Sequence, residues 1–464
     1  MKRILISTGG GDAPGLNAVI YAVVHTAERL GWETYGVRDG YDGLLYPEQY
    51  PEGGVLKLDR AVVRGISHLG GTILGTTNRG NPSRQVVSRP DGSTEQVDLS
   101  SCVLDSLRRR DIDVLIAVGG DGTLTIAHQF NQKGVRVIGV PKTIDNDLES
   151  TDLTFGFPTA VSFATECIER LHATAESHRR ILCVEVMGRH AGWIALHAGV
   201  AAMADAILIS EIPFEIGRVA ADLQQKLTHL QRHAIVVVAE GAVPVAGKAV
   251  VKSQEPGRVE RLGGIGERIA QQLQEIMKVE TRAVTLGHLL RGGSPVALDR
   301  LLGLSFGAAA VQAVAEGLDG IMVALQGARI THVPLAIAVA QGHSSPVSRP
   351  APPAHRRALQ ADDRNIKRHS VDVARVALLQ SGISGLSAGH ARLLLREFAK
   401  HQKAEVILHT AMCPAPCLRK SPWDCSGWTE SSLRFAIPVR DSIPMRPRVA
   451  MVSAWSACGN ASTC

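Results

Sequence analysis

The chain has 464 residues, 45% hydrophobic and 20% charged, a globular balance that excludes wholesale disorder, collagen and coiled coil. Its net charge of +6 is mild and dispersed, and aromatic residues make up only 4%. A nucleic-acid surface therefore lacks its electrostatic stripe and its stacking platforms, whereas small anionic substrates suit the balance.

Met1-Lys2-Arg3 followed by Ile4–Ile6 opens like a secretory signal, but Gly9-Gly10-Gly11-Asp12 interrupts it before an apolar core can form. No run approaches the roughly 18 uninterrupted apolar residues of a membrane span, so the expectation is a cytoplasmic protein without a membrane partner. Ile4–Ser7 reads as a buried strand. Leu16, Val19, Ile20, Val23, Val24, Ala27 and Leu30 then recur with helical period. The turn between them, Gly9 to Asn17, offers closely spaced backbone N–H groups and a helix N-terminus, the ingredients of a phosphate cradle.

A second strand, Val114–Val118, leads into Gly119-Gly120-Asp121-Gly122-Thr123. Its carboxylate between glycines is most economically a Mg²⁺ ligand, because Mg²⁺ takes one or two carboxylates plus phosphate oxygens. Neither glycine loop matches the P-loop or dinucleotide fingerprints. A third strand, Val135–Val140, precedes Pro141-Lys142-Thr143-Ile144-Asp145-Asn146-Asp147, a compact acid–base and phosphate-handling cluster. Strands at Ile181–Val186 and Ala234–Ala239 are followed by Met187-Gly188-Arg189 and by Glu240. Arg180, Arg189, Arg282 and Arg291 lie near strand ends or glycine turns, and the guanidinium fork suits a second phosphorylated ligand. Short, almost wholly apolar strands alternating with amphipathic helices imply an α/β protein with parallel sheets covered on both faces.

The composition changes near residue 340. Gly342–Arg364 is rich in Ser, Pro, Ala, His and Arg, and Cys413, Cys417, Cys425, Cys458 and Cys464 crowd the end together with Trp423, Trp428 and Trp455. The cysteine spacings fit no common zinc knuckle. An appended segment or a shifted reading frame accounts for the change.

Gly10–Asn17, Gly70–Thr76, Gly119–Thr123, Pro141–Asp147, Val186–Arg189 and Gly287–Pro295 resemble, in order and spacing, the 6-phosphofructokinase family over roughly residues 2–335. The resemblance is to its bacterial mixed-substrate group, which uses ATP or pyrophosphate. It implies two similar three-layer α/β/α domains with the site in the cleft between them. Residues 1–156 plus about 290–335 would take the donor, 157–289 the fructose 6-phosphate, and 336–464 would form an atypical tail. Asp145 would take the proton of the sugar 1-hydroxyl, with Lys142, Thr143, Asp147 and Arg189 completing the catalytic set. Gly11, Asn78, Arg79, Gly120, Asp121, Gly122 and Thr123 would line the donor, with Asp121 on Mg²⁺. Met187, Gly188, Arg189 and Glu240 would hold the sugar, and Arg180, Arg282, His288 and Arg291 its 6-phosphate. The family forms homodimers or homotetramers in which Arg180 and Arg282 reach in from the neighbouring subunit.

The resemblance divides on the donor. Gly122 leaves room for an α-phosphate, which favours ATP, whereas Lys142 matches the pyrophosphate-using members, and Asn78 stands where ATP-dependent members usually have Arg. Tyr21, His25 and His172 replace arginines of the allosteric bacterial members, so little response to ADP or phosphoenolpyruvate is expected. Two other readings compete. One is another small-molecule kinase sharing Gly119–Thr123, such as one acting on NAD. The other is an inactive homologue crippled by its tail.

Overall fold

The structure is a computed structural model and describes residues 1–77, 81–88, 93–227, 232–245, 247–253 and 261–340. The first part of the chain runs β1 (Arg3–Thr8), α1 (Leu16–Arg29), β2 (Glu33–Val37), α2 (Asp42–Leu45), β3 (Val55–Leu58), β4 (Gln85–Ser88), β5 (Thr94–Val97), α3 (Ser100–Arg109), β6 (Val114–Gly119), α4 (Asp121–Gln132), β7 (Val137–Thr143) and β8 (Phe155–Gly156). The middle runs α5 (Phe157–His178), β9 (Ile181–Val186), α6 (Trp193–Ala201), β10 (Ala206–Leu208), α7 (Ile216–Lys226), β11 (Ala234–Ala239), β12 (Val251–Ser253), β13 (Arg261–Leu262), α8 (Ile265–Met277) and β14 (Thr281–Thr285). It closes with α9 (Ala297–Ala315), β15 (Ile321–Gln326), β16 (Arg329–Pro334) and α10 (Leu335–Ala340).

Two principal sheets result. The first has the order β16-β15-β7-β6-β1-β2-β3, and the second β10-β11-β9-β14. All pairings in the second are parallel, while β3 and β16 close the edges of the first as antiparallel strands. Side chains alternate across each sheet with the strand period of two. Ile4, Ile6, Val114, Ile116 and Val118 enter a core with α1 and α9, while Leu5, Leu115 and Ala117 enter another with α3, α4 and α10. In the second sheet Leu182, Val184 and Val186 face α5 and α6, whereas Ile181 and Cys183 face α7 and α8. Helices on both faces explain why these strands are apolar at successive positions. Each lobe is thus three layers, α/β/α.

Helix α9 is long and apolar enough to cross a membrane, but half of its most apolar stretch is buried. Gly303 and Gly307 bring it against α1: a Cβ on Gly307 would lie 2.6 Å from the Val19 carbonyl oxygen. The third expected strand begins at Val137, two residues later than its apolar run, and continues through Thr143. Its last two residues pair with β8, a two-residue strand too short to register as a pattern. Lys142 and Thr143 therefore sit on a strand end and are buried, instead of following the strand in a loop.

Asp299, at the start of α9, reaches the start of α5. Its carboxylate accepts from the Gly156 and Thr159 backbone N–H groups at 2.7 Å each and from the Thr159 hydroxyl at 2.5 Å. These are among the donors a helix N-terminus leaves unsatisfied, and Asp299 is fully buried. Asp299→Ala strands three buried donors, so a loss of about 2–4 kcal/mol in unfolding free energy is expected, read by urea titration.

Candidate active site

Strands β7, β6 and β1 are neighbours and parallel, so the segments leaving their C-terminal ends stand side by side, where open α/β sheets bind ligands. Small residues allow the close approach. A Cβ on Gly9 or Gly119 would come within 2.6 Å and 2.4 Å of the Thr123 hydroxyl oxygen, so Thr123 is wedged between the two loops. The loop through Thr76 covers the first turn: Gly10 donates to the Thr77 carbonyl at 3.0 Å, and the Thr76 hydroxyl donates to the Gly10 carbonyl at 2.7 Å. Asn17, nearly fully buried, donates to the Leu69 and Gly70 carbonyls and accepts from the Ile73 N–H.

Asp121 is the first residue of α4, beside Gly120, where the helix dipole favours a carboxylate. A Cβ on Gly122 would meet no atom within 4 Å. Among the described residues no group of three or more His, Cys, Asp or Glu side chains is placed to hold a metal.

The Lys142 ammonium donates to the Gly11 carbonyl, bridging the end of β7 to the first loop. Burial and the like charge of Arg291 pull it down to about 8, against Asp145, Asp12 and Asp147, which hold it up. Burial and the adjacent Asp147 carboxylate push the Asp145 carboxyl up to about 7, with Arg291 opposing. Its Oδ1 is sealed from solvent with no hydrogen-bond partner among the described residues. Local structure holds it there. The Asp145 N–H donates to the Thr143 hydroxyl at 3.0 Å, and Asn146, in the left-handed region at φ 51°, accepts from the Thr154 N–H at 3.0 Å.

In the second sheet β11, β9 and β14 are likewise neighbours, and their C-terminal ends carry Glu240, the strap Gly188–Gly192 and the turn Gly287–Arg291. Glu240 accepts from the Arg189 N–H at 3.0 Å. Burial raises its carboxyl, and hydrogen bonds from Arg189 and Gly188 N–H oppose the rise. Arg291 crosses between the lobes: it donates to the Asp12 carbonyl at 3.3 Å, and a Cβ on Gly11 would lie 1.7 Å from its Nη1. It sits in the cleft against the first glycine loop, while His288 is exposed on the same turn.

The four groups expected to grip one sugar phosphate are therefore divided. Arg180 and Arg282 stand at the opposite, N-terminal ends of β9 and β14: Arg282 is about 16 Å from the turn at Gly287 at about 3.3 Å of rise per residue, and Arg180, one residue before β9, lies farther still. There both converge on Glu280, at 3.5 Å and 3.0 Å. Asn78, Arg79 and the cysteine- and tryptophan-rich tail beyond residue 340 lie outside the described residues. Residues 336–340 belong to α10, whose Leu335 and Ala338 are buried. Sequence reading missed Glu211, which touches the strap, as well as Thr154 and Asp299. Each acts on a segment distant in the chain, which no local pattern signals.

Comparison with known proteins gives the family. A family model described as phosphofructokinase matches residues 3–314. An ATP-dependent 6-phosphofructokinase of Chloroflexus aurantiacus is 49% identical over 335 residues, covering 72% of this chain and 90% of the relative. A pyrophosphate–fructose 6-phosphate 1-phosphotransferase of Amycolatopsis methanolica is 46% identical over 351 residues, covering 75% of this chain and 97% of the relative. The solved phosphofructokinase of Saccharomyces cerevisiae superposes with a TM-score of 0.63 at 28% identity over 81% of this chain, which spans 48% of the yeast chain. With a family match over most of its length and relatives at nearly half identity, the chain belongs to the phosphofructokinase family.

Proposed function

We propose that this phosphofructokinase, a phosphotransferase, moves the terminal phosphoryl group of ATP to the 1-hydroxyl of fructose 6-phosphate, with Asp145 as the base. The observation that carries the reading is the sealed, unpartnered Asp145 Oδ1 beside a buried ammonium and between the two lobes' strand ends. Its carboxyl at about 7 is matched to neutral pH, where a base must be partly ionised yet basic enough to take a proton. Asp145 takes the hydroxyl proton as the sugar oxygen attacks phosphorus, and the donor's bridging oxygen leaves with the nucleoside diphosphate. Lys142 and the N–H groups of the glycine loops bear the charge that develops on the transferring group. The lobe of residues 1–156 and about 290–335 takes the donor, and 157–289 the sugar, held by Met187, Gly188, Arg189 and Glu240.

Asp121 supplies a single hard oxygen ligand, which fits Mg²⁺ shared with donor phosphates better than an all-protein cage. When bound, Mg²⁺ neutralises phosphate charge. Space beside Gly122 favours ATP. Pyrophosphate is the second reading, favoured by Lys142 on the Gly11 carbonyl. Parallel assays of fructose 1,6-bisphosphate formation with ATP and with pyrophosphate, each with Mg²⁺, test the pair. Turnover with pyrophosphate alone rejects the donor assignment, and silence with both rejects the activity.

The two perturbed groups predict a bell-shaped dependence of kcat/KM on pH. The rate rises as Asp145 loses its proton near pH 7 and falls as Lys142 loses its own near pH 8. Asp147→Asn removes a like charge that raises Asp145 and so moves the rising limb to lower pH. Unmoved limbs in Asp147→Asn and Lys142→Arg would detach both residues from the profile.

Arg180 and Arg282 serve the site of a neighbouring copy in a homodimer or homotetramer. Their position at the far end of the second sheet supports this. Mixing and reassociating the inactive variants Asp145→Asn and Arg282→Ala is then expected to restore activity, because some sites receive both intact groups. No recovery from subunits shown to have exchanged would place Arg282 outside the site.

A further inference from the structure

The strap Gly188–Gly192 has an unusual backbone. Gly188 has φ 142°, where a Cβ would meet the Ala191 carbonyl oxygen at 2.4 Å, and Arg189 adopts the left-handed region at φ 54°, which is uncommon for a side-chain-bearing residue. Such a conformation persists only where its surroundings over-determine it. Two carboxylates do so from different loops. Glu240, after β11, accepts from the Arg189 N–H on one side. Glu211, after β10, accepts from the Gly192 N–H at 2.8 Å on the other, and adjacent Ser210 donates to the Arg189 carbonyl at 3.3 Å. Within the strap Ala191 donates to the Gly188 carbonyl at 2.8 Å. The second oxygen of Glu211, Oε2, is sealed from solvent without a hydrogen-bond partner and lies 2.7 Å from where a Cβ on Gly192 would stand. A carboxylate oxygen sealed from solvent without a partner is costly to keep and calls for an explanation.

We propose that Glu211, assisted by Ser210, is a positioning residue of the sugar site: it anchors the C-terminal end of the strap so that Met187, Gly188 and Arg189 present themselves to the substrate. The inference rests on the reading that this strap holds the sugar. Burial raises the Glu211 carboxyl, and the hydrogen bond from Gly192 opposes the rise. Glu211 serves binding and takes no part in the transfer.

Steady-state kinetics of the full chain, varying fructose 6-phosphate and donor separately, test this. Glu211→Ala is expected to raise KM for fructose 6-phosphate about fivefold to tenfold, roughly one hydrogen bond lost, with kcat within about twofold and donor KM unchanged. Glu211→Gln keeps an acceptor for Gly192 and restores the sugar KM. If Glu211→Ala does not fold, Glu211→Asp, which withdraws the acceptor by one methylene, carries the same expectation. A lower melting temperature with an unchanged sugar KM would overturn the proposal and leave Glu211 a cap of α6, as would equal rises in both KM values. Arg189→Ala separates the two levels. If it raises the sugar KM while Glu211→Ala does not, only the positioning role fails; if neither moves it, the strap is not the sugar's.

Discussion

Asp145→Asn lowers kcat about 10²–10⁴-fold, the usual contribution of a positioned base, with little change in either KM. Asparagine keeps the shape of the side chain but cannot take up the hydroxyl proton. Stability does not fall with activity, because the Asp145 carboxyl is already disfavoured by burial and by Asp147, and its Oδ1 has no partner to lose. The melting temperature therefore stays level or rises. That combination separates a catalytic carboxylate from a structural one such as Asp299, whose oxygens accept three bonds and whose removal costs stability. A fall in kcat of less than tenfold in a well-folded Asp145→Asn would put the base elsewhere.

The second large effect is at Gly122. Gly122→Asp is expected to cut kcat/KM for ATP by at least about 10²-fold and to spare pyrophosphate turnover, so that the donor ratio reverses. The backbone there needs no glycine, since φ is not positive and a Cβ would meet nothing within 4 Å. The site is the second residue of α4, where the helix dipole tolerates a carboxylate. The fold survives, and the new charge acts on the ligand alone. Like charges brought together in a cleft cost several kcal/mol, enough for the effect. Pyrophosphate has no α-phosphate beyond the transferred pair and escapes the repulsion. Equal losses with both donors would mean that Gly122 lies beside the phosphates they share.

The central strands of the first sheet were legible, whereas its outer strands β2, β3 and β16, with polar residues among their apolar ones, gave no such signal. β1 and β6 are runs of successive apolar residues because helices cover both faces, and each ends where a polar glycine turn begins, so Ile4–Ser7 and Val114–Val118 fall within a residue of the observed strands. Val135–Val140 misled at both ends. Val135 is only partly buried, and Lys142 and Thr143 are polar residues that a strand would ordinarily expose. They are strand because β8, whose residues lie thirteen positions on, pairs with them.

The order of glycine loops, the Lys142–Asp147 cluster and the family they imply were determined by the sequence alone, because close backbone approach and phosphate chemistry demand particular residues at particular spacings. Only the tertiary structure decided how the charges are shared. It buried Lys142 onto the Gly11 carbonyl, turned Arg291 across the cleft to Asp12, and drew Arg180 and Arg282 to the far end of their strands on Glu280. It also paired Asp299 with α5 and Glu211 with Gly192, a hundred and forty-three and nineteen residues apart in the chain. A carboxylate's partners are set by distance in space, through solvation and Coulomb interaction, and one-dimensional order carries no record of either.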